Sequence, residues 1–189
     1  MKLEKTWRTS PEILLMVMAA AMPIAFWAWV VLLNNFTVEV ASFTGKEIGI
    51  LQSLREVPGF LSFLVVYLLL IIAEQRLALL SLFILGVGVA MTGHFPTAIG
   101  LYITTIISSI GFHYYEACHQ SLSLQWLDKK TAPERMGLIF SVASMAKLLV
   151  LGAIFAAYLA NSPEISWKAL ASSAGLVTGL ESYEMTYLY

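Results

Sequence analysis

PEILLMVMAAAMPIAFWAWVVLL, residues 11–33, carries a single charged side chain, Glu12, at its very start. A helix needs about 20 mainly apolar residues to cross the hydrocarbon of a bilayer, and this run supplies them. It is too long for the core of a signal peptide, and no small-residue cleavage site follows it cleanly, so it reads as a retained helix. Ser10 is placed to cap it, and Pro11 suits a first helical turn.

Four more runs follow the same pattern, over 47–72, 76–91, 96–127 and 133–160. Thr44 and Glu47 have the spacing of a capping box, and so do Thr131 and Glu134. The links 34–45, 73–75, 92–95 and 128–132 are short and polar, which makes neighbouring helices antiparallel. In lipid each backbone group must be satisfied within the chain, so helices are the spanning form. The expected fold class is all-α: a polytopic membrane helix bundle of five full transmembrane helices, forming one domain over 1–189. The stretch 166–180 is apolar only in part and short for a span. Residues 183–189 look like the start of another helix that is cut off, so the natural protein is expected to continue beyond Tyr189. The competing reading makes 166–187 a weak sixth span.

Composition agrees with lipid as the solvent. Hydrophobic residues make up 59% and charged residues 12%, where soluble domains average roughly 45–50% and about 25%. The formal net charge is -1, and no polybasic arm suggests nucleic acid. Cys118 is alone, so neither an intrachain disulfide nor a cysteine metal cluster can form.

Positive charge sets orientation. The N-terminus and the even loops hold Lys2, Lys5, Arg8, Arg76, Lys129, Lys130 and Arg135; the odd loops hold Lys46 and Lys168. The N-terminus is therefore expected in the cytoplasm.

Ionisable groups inside a span cost several kcal/mol, roughly 2.5–3.5 each on insertion scales, unless paired or hydrated. The third span has none after its first residue. The second has Arg55 and Glu56, with Gln52 one turn away and Pro58-Gly59 following as a point of bending. The fourth has His113, Glu116 and Gln120 on one face and His119, beside Tyr115, on the next. The fifth has Lys147. These are the candidates for a substrate or ion pathway. The turn between spans four and five is centred near Lys130, so Glu116 and Lys147 are expected at similar depth and close enough to pair, with His113 as the alternative neighbour. Glu116 and His119 have the spacing of a di-iron bundle motif, but no second motif matches them, and no metal or other cofactor is expected. Phe26, Trp27 and Trp29 read as interfacial belt residues.

Several stretches resemble the major facilitator superfamily: Gly49-Ile-Leu-Gln-Ser-Leu-Arg-Glu-Val-Pro-Gly59, the short turn Ala73-Glu-Gln-Arg76, Leu85-Gly-Val-Gly88, Gln125-Trp-Leu-Asp-Lys-Lys130, and Ala132-Pro-Glu-Arg-Met-Gly137. The resemblance covers about residues 11–160 and is one of layout. Glu74 and Arg76 stand where that family carries a loop motif between helices 2 and 3. The resemblance implies the N-terminal half of a twelve-span transporter whose substrate sits between two six-helix halves. It implies that spans one, two, four and five border a polar cavity while the third packs outside. The expected function is secondary active transport of a small solute by alternating access, with proton coupling as an option and no covalent chemistry. Lipid and the missing C-terminal half are the expected partners, and the expected location is the plasma membrane, in bacteria the inner membrane. The rival readings are a membrane-embedded enzyme using His113, Glu116 and His119, and a membrane scaffold.

Overall fold

The computed structural model describes residues 11–161. Ser10, the N-terminal basic residues, Lys168 and the whole of 166–187 lie outside the described residues, so the question of a sixth span falls there too.

Among the described residues the fold is all-helical. Helix α1 spans Pro11–Glu39. Helix α2 spans Gly45–Phe60 and passes through a 3-10 turn, Leu61–Leu64, into the short α3, Val65–Leu69. Then come α4, Glu74–Thr92, α5, Ala98–Trp126, and α6, Ala132–Asn161. The expected second span is thus α2 with α3, the third is α4, the fourth α5 and the fifth α6. The first helix runs past its expected end at residue 33. Asn34 and Asn35 stay helical, and Thr37 Oγ1 bonds to Asn34 O at 2.8 Å, which holds the added turn.

The ends follow local chemistry. Thr44 N donates to Glu47 Oε2 at 2.9 Å, and the Thr44 hydroxyl donates to the same oxygen, so the first capping box forms. The second does not. Asp128 takes over that turn by accepting Lys130 N at 2.9 Å, and Thr131 turns back to Asp128 O.

Contacts divide the chain after Leu151. The first unit holds α1 to α5 and most of α6. The second begins at Gly152, and its described part is the last turns of α6.

Within the first unit the helices alternate in direction. Starts of α1 and α6 meet where Glu12 faces Arg135 at 3.9 Å. The start of α4 meets the end of α5 where Gln125 Nε2 donates to Glu74 Oε2 at 2.6 Å. At the opposite end Trp29 of α1 donates to Thr92 of α4. Two clusters mark the two ends. One joins Leu15, Met18, Leu77, Cys118, Leu122 and Ile139; the other joins Trp29, Leu33, Phe43, Leu51 and Leu101.

Helices α4 and α5 approach most closely. A Cβ added at Gly111 would lie 2.4 Å from Leu85 N and 2.6 Å from Ser81 O. One added at Gly88 would lie 2.5 Å from Ser108 Oγ and 2.8 Å from Ser108 N. Such contact needs small residues on both faces, which is how helices gain van der Waals contact where lipid removes the hydrophobic drive. The outward faces are the reverse: Phe60, Leu70, Ile71, Phe83, Ile99, Leu124 and Leu149 are all exposed. So much outward apolar surface suits lipid. Four segments, α1, α2 with α3, α4 and α6, are long and apolar enough to cross a membrane. Helix α5 matches them in length but is diluted by buried Thr104, Thr105, Ser108, Ser109 and Ser123.

Candidate functional site

Pro58 and Gly59 open the site. Proline cannot donate to the carbonyl of Leu54, and its ring disturbs the turn around it. The hydroxyl of Ser109 on α5 donates to Arg55 O in that same turn, which ties α5 to the bend. One turn on, Gly59 lies under the His113 ring: a Cβ there would be 2.7 Å from Cε1. Arg55 meets Ser109 and Gly59 meets His113, both at an offset of 54 residues. Helices α2 and α5 therefore run side by side in the same direction, and their polar residues share a level.

A cavity of about 200 Å³ opens at that level, lined by Phe26, Trp27, Val30, Arg55, Glu56, Phe112 and His113. Arg55 donates from Nε and Nη2 to Glu56 Oε1, each at 3.0 Å. Phe26 and Phe112 stack with centroids 4.0 Å apart and planes at 11°. Trp27 sits edge-on to Phe26 at 5.9 Å. Gln52 lies one turn before Arg55, its carbonyl oxygen buried and unpartnered among the described residues.

Two smaller cavities continue along α1, α5 and α6 toward the Glu12–Arg135 end. One of about 50 Å³ touches Met22, Tyr115, Glu116, His119 and Ala143. One of about 20 Å³ touches His119, Gln120, Ser123 and Met136. Each has room for at least one water. His113, Glu116 and Gln120 step down α5 through the three cavities, and His119 joins the lower two. His119 Nε2 lies 3.1 Å from Leu15 O, which ties its ring to α1.

The expected pairing of Lys147 with Glu116 is not formed. Glu116 shares its cavity with Ala143, and Lys147 is one turn further along α6. Its ammonium lies 3.4 Å from the centroid of the Trp27 ring. Depth along the hairpin is thus close to expectation, but the rotation of α6 aims the lysine at α1. Trp27 and Trp29 likewise depart from the belt role. Trp29 is buried and donates to Thr92 Oγ1 at 3.1 Å, while Trp27 is a cation platform on the cavity wall.

The residues that line the main cavity come from α1, α2 and α5, with Lys147 of α6 reaching Trp27; α4 contributes none. Yet α4 is packed closely along α5 and also touches α1. Glu74 contacts Gln125, away from these cavities, and Arg76 is exposed. Among the described residues no group of three His, Cys, Asp or Glu side chains gathers to hold a metal. Phe112, Ser109 and Val30 belong to the site although nothing in their local sequence marks them; the matched register of α2 and α5 marks the first two, and Val30 joins from α1.

No protein-family model matches this sequence, and no curated protein or solved structure matches it.

Proposed function

We propose that the chain is a multi-pass membrane protein of the major facilitator type, acting as the N-terminal half of a secondary transporter for a small solute. The observation that carries this reading is the row of cavities. A polar, aromatic-walled chamber at Arg55, Glu56 and His113 is followed by two smaller spaces along the seam of α1, α5 and α6. Polar side chains step along that seam inside an otherwise apolar bundle, where each costs free energy unless it serves water or a solute. Such groups mark pathways, and a chamber between helices is where a bundle holds a ligand.

In this reading α5 also crosses the membrane, as the fourth of five spans. Its polar face is covered by α1, α2 and α4, so its polarity does not meet lipid. A second half, lying against the chamber, would complete the pathway. Glu116 and His113 are the groups through which a proton could couple to the solute.

Alternating access makes a direct test. In the full chain with Cys118→Ser, Val30→Cys on the chamber wall should react with a membrane-impermeant thiol reagent added from either side. An imposed proton gradient should shift the ratio of the two rates. Reaction from one side alone, whatever the gradient, would overturn the proposal. Uptake screening in vesicles with the same gradient would then find the solute.

A further inference from the structure

Around the main cavity the fixed charges do not balance. Arg55 spends Nε and Nη2 on one oxygen of Glu56, and that pair neutralises itself. Lys147 has no such counter-ion. Among the described residues no carboxylate lies within 4.0 Å of its ammonium, and its recorded contact is the face of Trp27 at 3.4 Å. Glu116 lines the next cavity instead. An aromatic ring attracts a cation through its quadrupole but carries no charge to cancel it. Lys147 does not itself line the chamber, but it holds one positive charge in excess against the ring of Trp27, which does.

An incoming oxyanion would cancel that charge and replace a quadrupole contact with charge-assisted hydrogen bonds, roughly twice as strong as neutral ones. An incoming cation would be repelled by Lys147 beside the Trp27 wall and would find Glu56 already engaged. The rest of the wall is flat and apolar, formed by the Phe26–Phe112 stack. The volume, about 200 Å³, is far more than a single water needs. We infer that the chamber takes a small organic oxyanion with a flat apolar body, its charge on the Lys147 ammonium and its body against Phe26 and Phe112. This rests on the chamber being the solute site of the proposed transporter, and it names the class of that solute.

Two permanently charged probes of similar size test it: benzenesulfonate and benzyltrimethylammonium. Each is offered to the full chain in detergent, and binding is read by equilibrium dialysis, which needs no transport. Benzenesulfonate should bind saturably and the cation should not. Lys147→Met should weaken the anion by about tenfold or more, and Lys147→Arg should keep it. Val30→Trp, which fills the chamber, should abolish it. Helical circular dichroism and a monodisperse elution profile show whether each variant is folded. If Lys147→Met fails to fold, the Arg and Val30→Trp variants decide the matter. Tighter binding of the cation, binding of neither probe, or anion binding indifferent to both Lys147→Met and Val30→Trp would overturn the inference. The two readings separate in vesicles. Anion binding without any flux keeps the oxyanion site and removes transport. Flux of the cation alone keeps transport and removes the oxyanion site.

Discussion

Trp29 Nε1 donates to Thr92 Oγ1 at 3.1 Å, and Thr92 in turn donates to Gly88 O at 2.9 Å. Both side chains are buried, so the bond ties the far end of α1 to that of α4 without competition from water. Interhelical hydrogen bonds in membranes average about 0.6 kcal/mol. The cycle Trp29→Phe, Thr92→Val and the double variant should return a coupling of about that size, read from unfolding in rising SDS by circular dichroism. A coupling of zero would mean the bond only fills space. At this scale the sequence was legible in part. The list of polar residues inside the spans was readable from composition, and so was the depth of Lys147 relative to Glu116. The direction of the Lys147 side chain was not, because rotation of α6 depends on packing against α1 that no local pattern records. The same is true of Trp27 and Trp29. An aromatic near the end of an apolar run looks alike whether it faces headgroups or a neighbouring helix.

Between elements, glycine decides how near two helices come. Gly111 lets α5 lie on the backbone of α4, with 2.4 Å between its added Cβ and Leu85 N. Gly111→Ala must push two backbones apart, and should cost about 1–3 kcal/mol. Gly86, on α4, has nothing within 4 Å of an added Cβ. Gly86→Ala should be neutral or stabilise by up to about 1 kcal/mol through helix propensity. If both variants unfold at the same SDS fraction as the parent, the close packing of α4 on α5 is wrong. A second pair concerns the kink. Gly59→Ala drives a methyl into the His113 ring, which is a flexible side chain rather than backbone, so the loss should be smaller. His113→Ala on the same chain should restore most of it, and two losses that merely add would show that the residues do not touch. The existence and order of the helices were readable from apolar run length, and Pro58-Gly59 as a bend from proline chemistry; the 3-10 turn Leu61–Leu64 follows it. The close seam of α4 and α5 does not show in apolar run length, although small residues at 81, 88, 104, 108 and 111 recur at helical spacing. Helix ends shifted where a side chain offered the backbone another partner, as Asp128 and Thr37 do.

For the molecule as a whole, the alternation of helices gathers specific groups at each end of the first unit. Glu12, Glu74, Gln125 and Arg135 meet at one end, and the loop holding Lys129 and Lys130 belongs there, as does Arg76. Phe43 and Tyr102, 5.9 Å apart, meet at the other, where Lys46, in the first turn of α2, is the one described lysine or arginine. Basic residues near span ends favour the cytoplasm, so the Lys130 end should face inward and the His94 end outward. This assignment depends on α5 crossing the bilayer. The helix runs from Ala98 to Trp126, 29 residues, which at 1.5 Å per residue is about 43 Å and more than the roughly 30 Å of hydrocarbon. Its hydroxyls are shielded rather than missing: Thr104 Oγ1 bonds to Gly100 O at 3.0 Å and Ser123 Oγ to His119 O at 2.8 Å, both within the helix. A polar helix wrapped by three apolar ones can therefore span where the same helix alone would not insert. The check is a pair of single cysteines in the Cys118→Ser chain, at Lys130 and at His94, labelled in intact cells with an impermeant reagent. Position 94 should label from outside at once, and position 130 only after the membrane is opened. Labelling of both from outside would mean that α5 is a re-entrant helix; labelling of position 130 alone would invert the topology, and the positive charges would then lie on the wrong side.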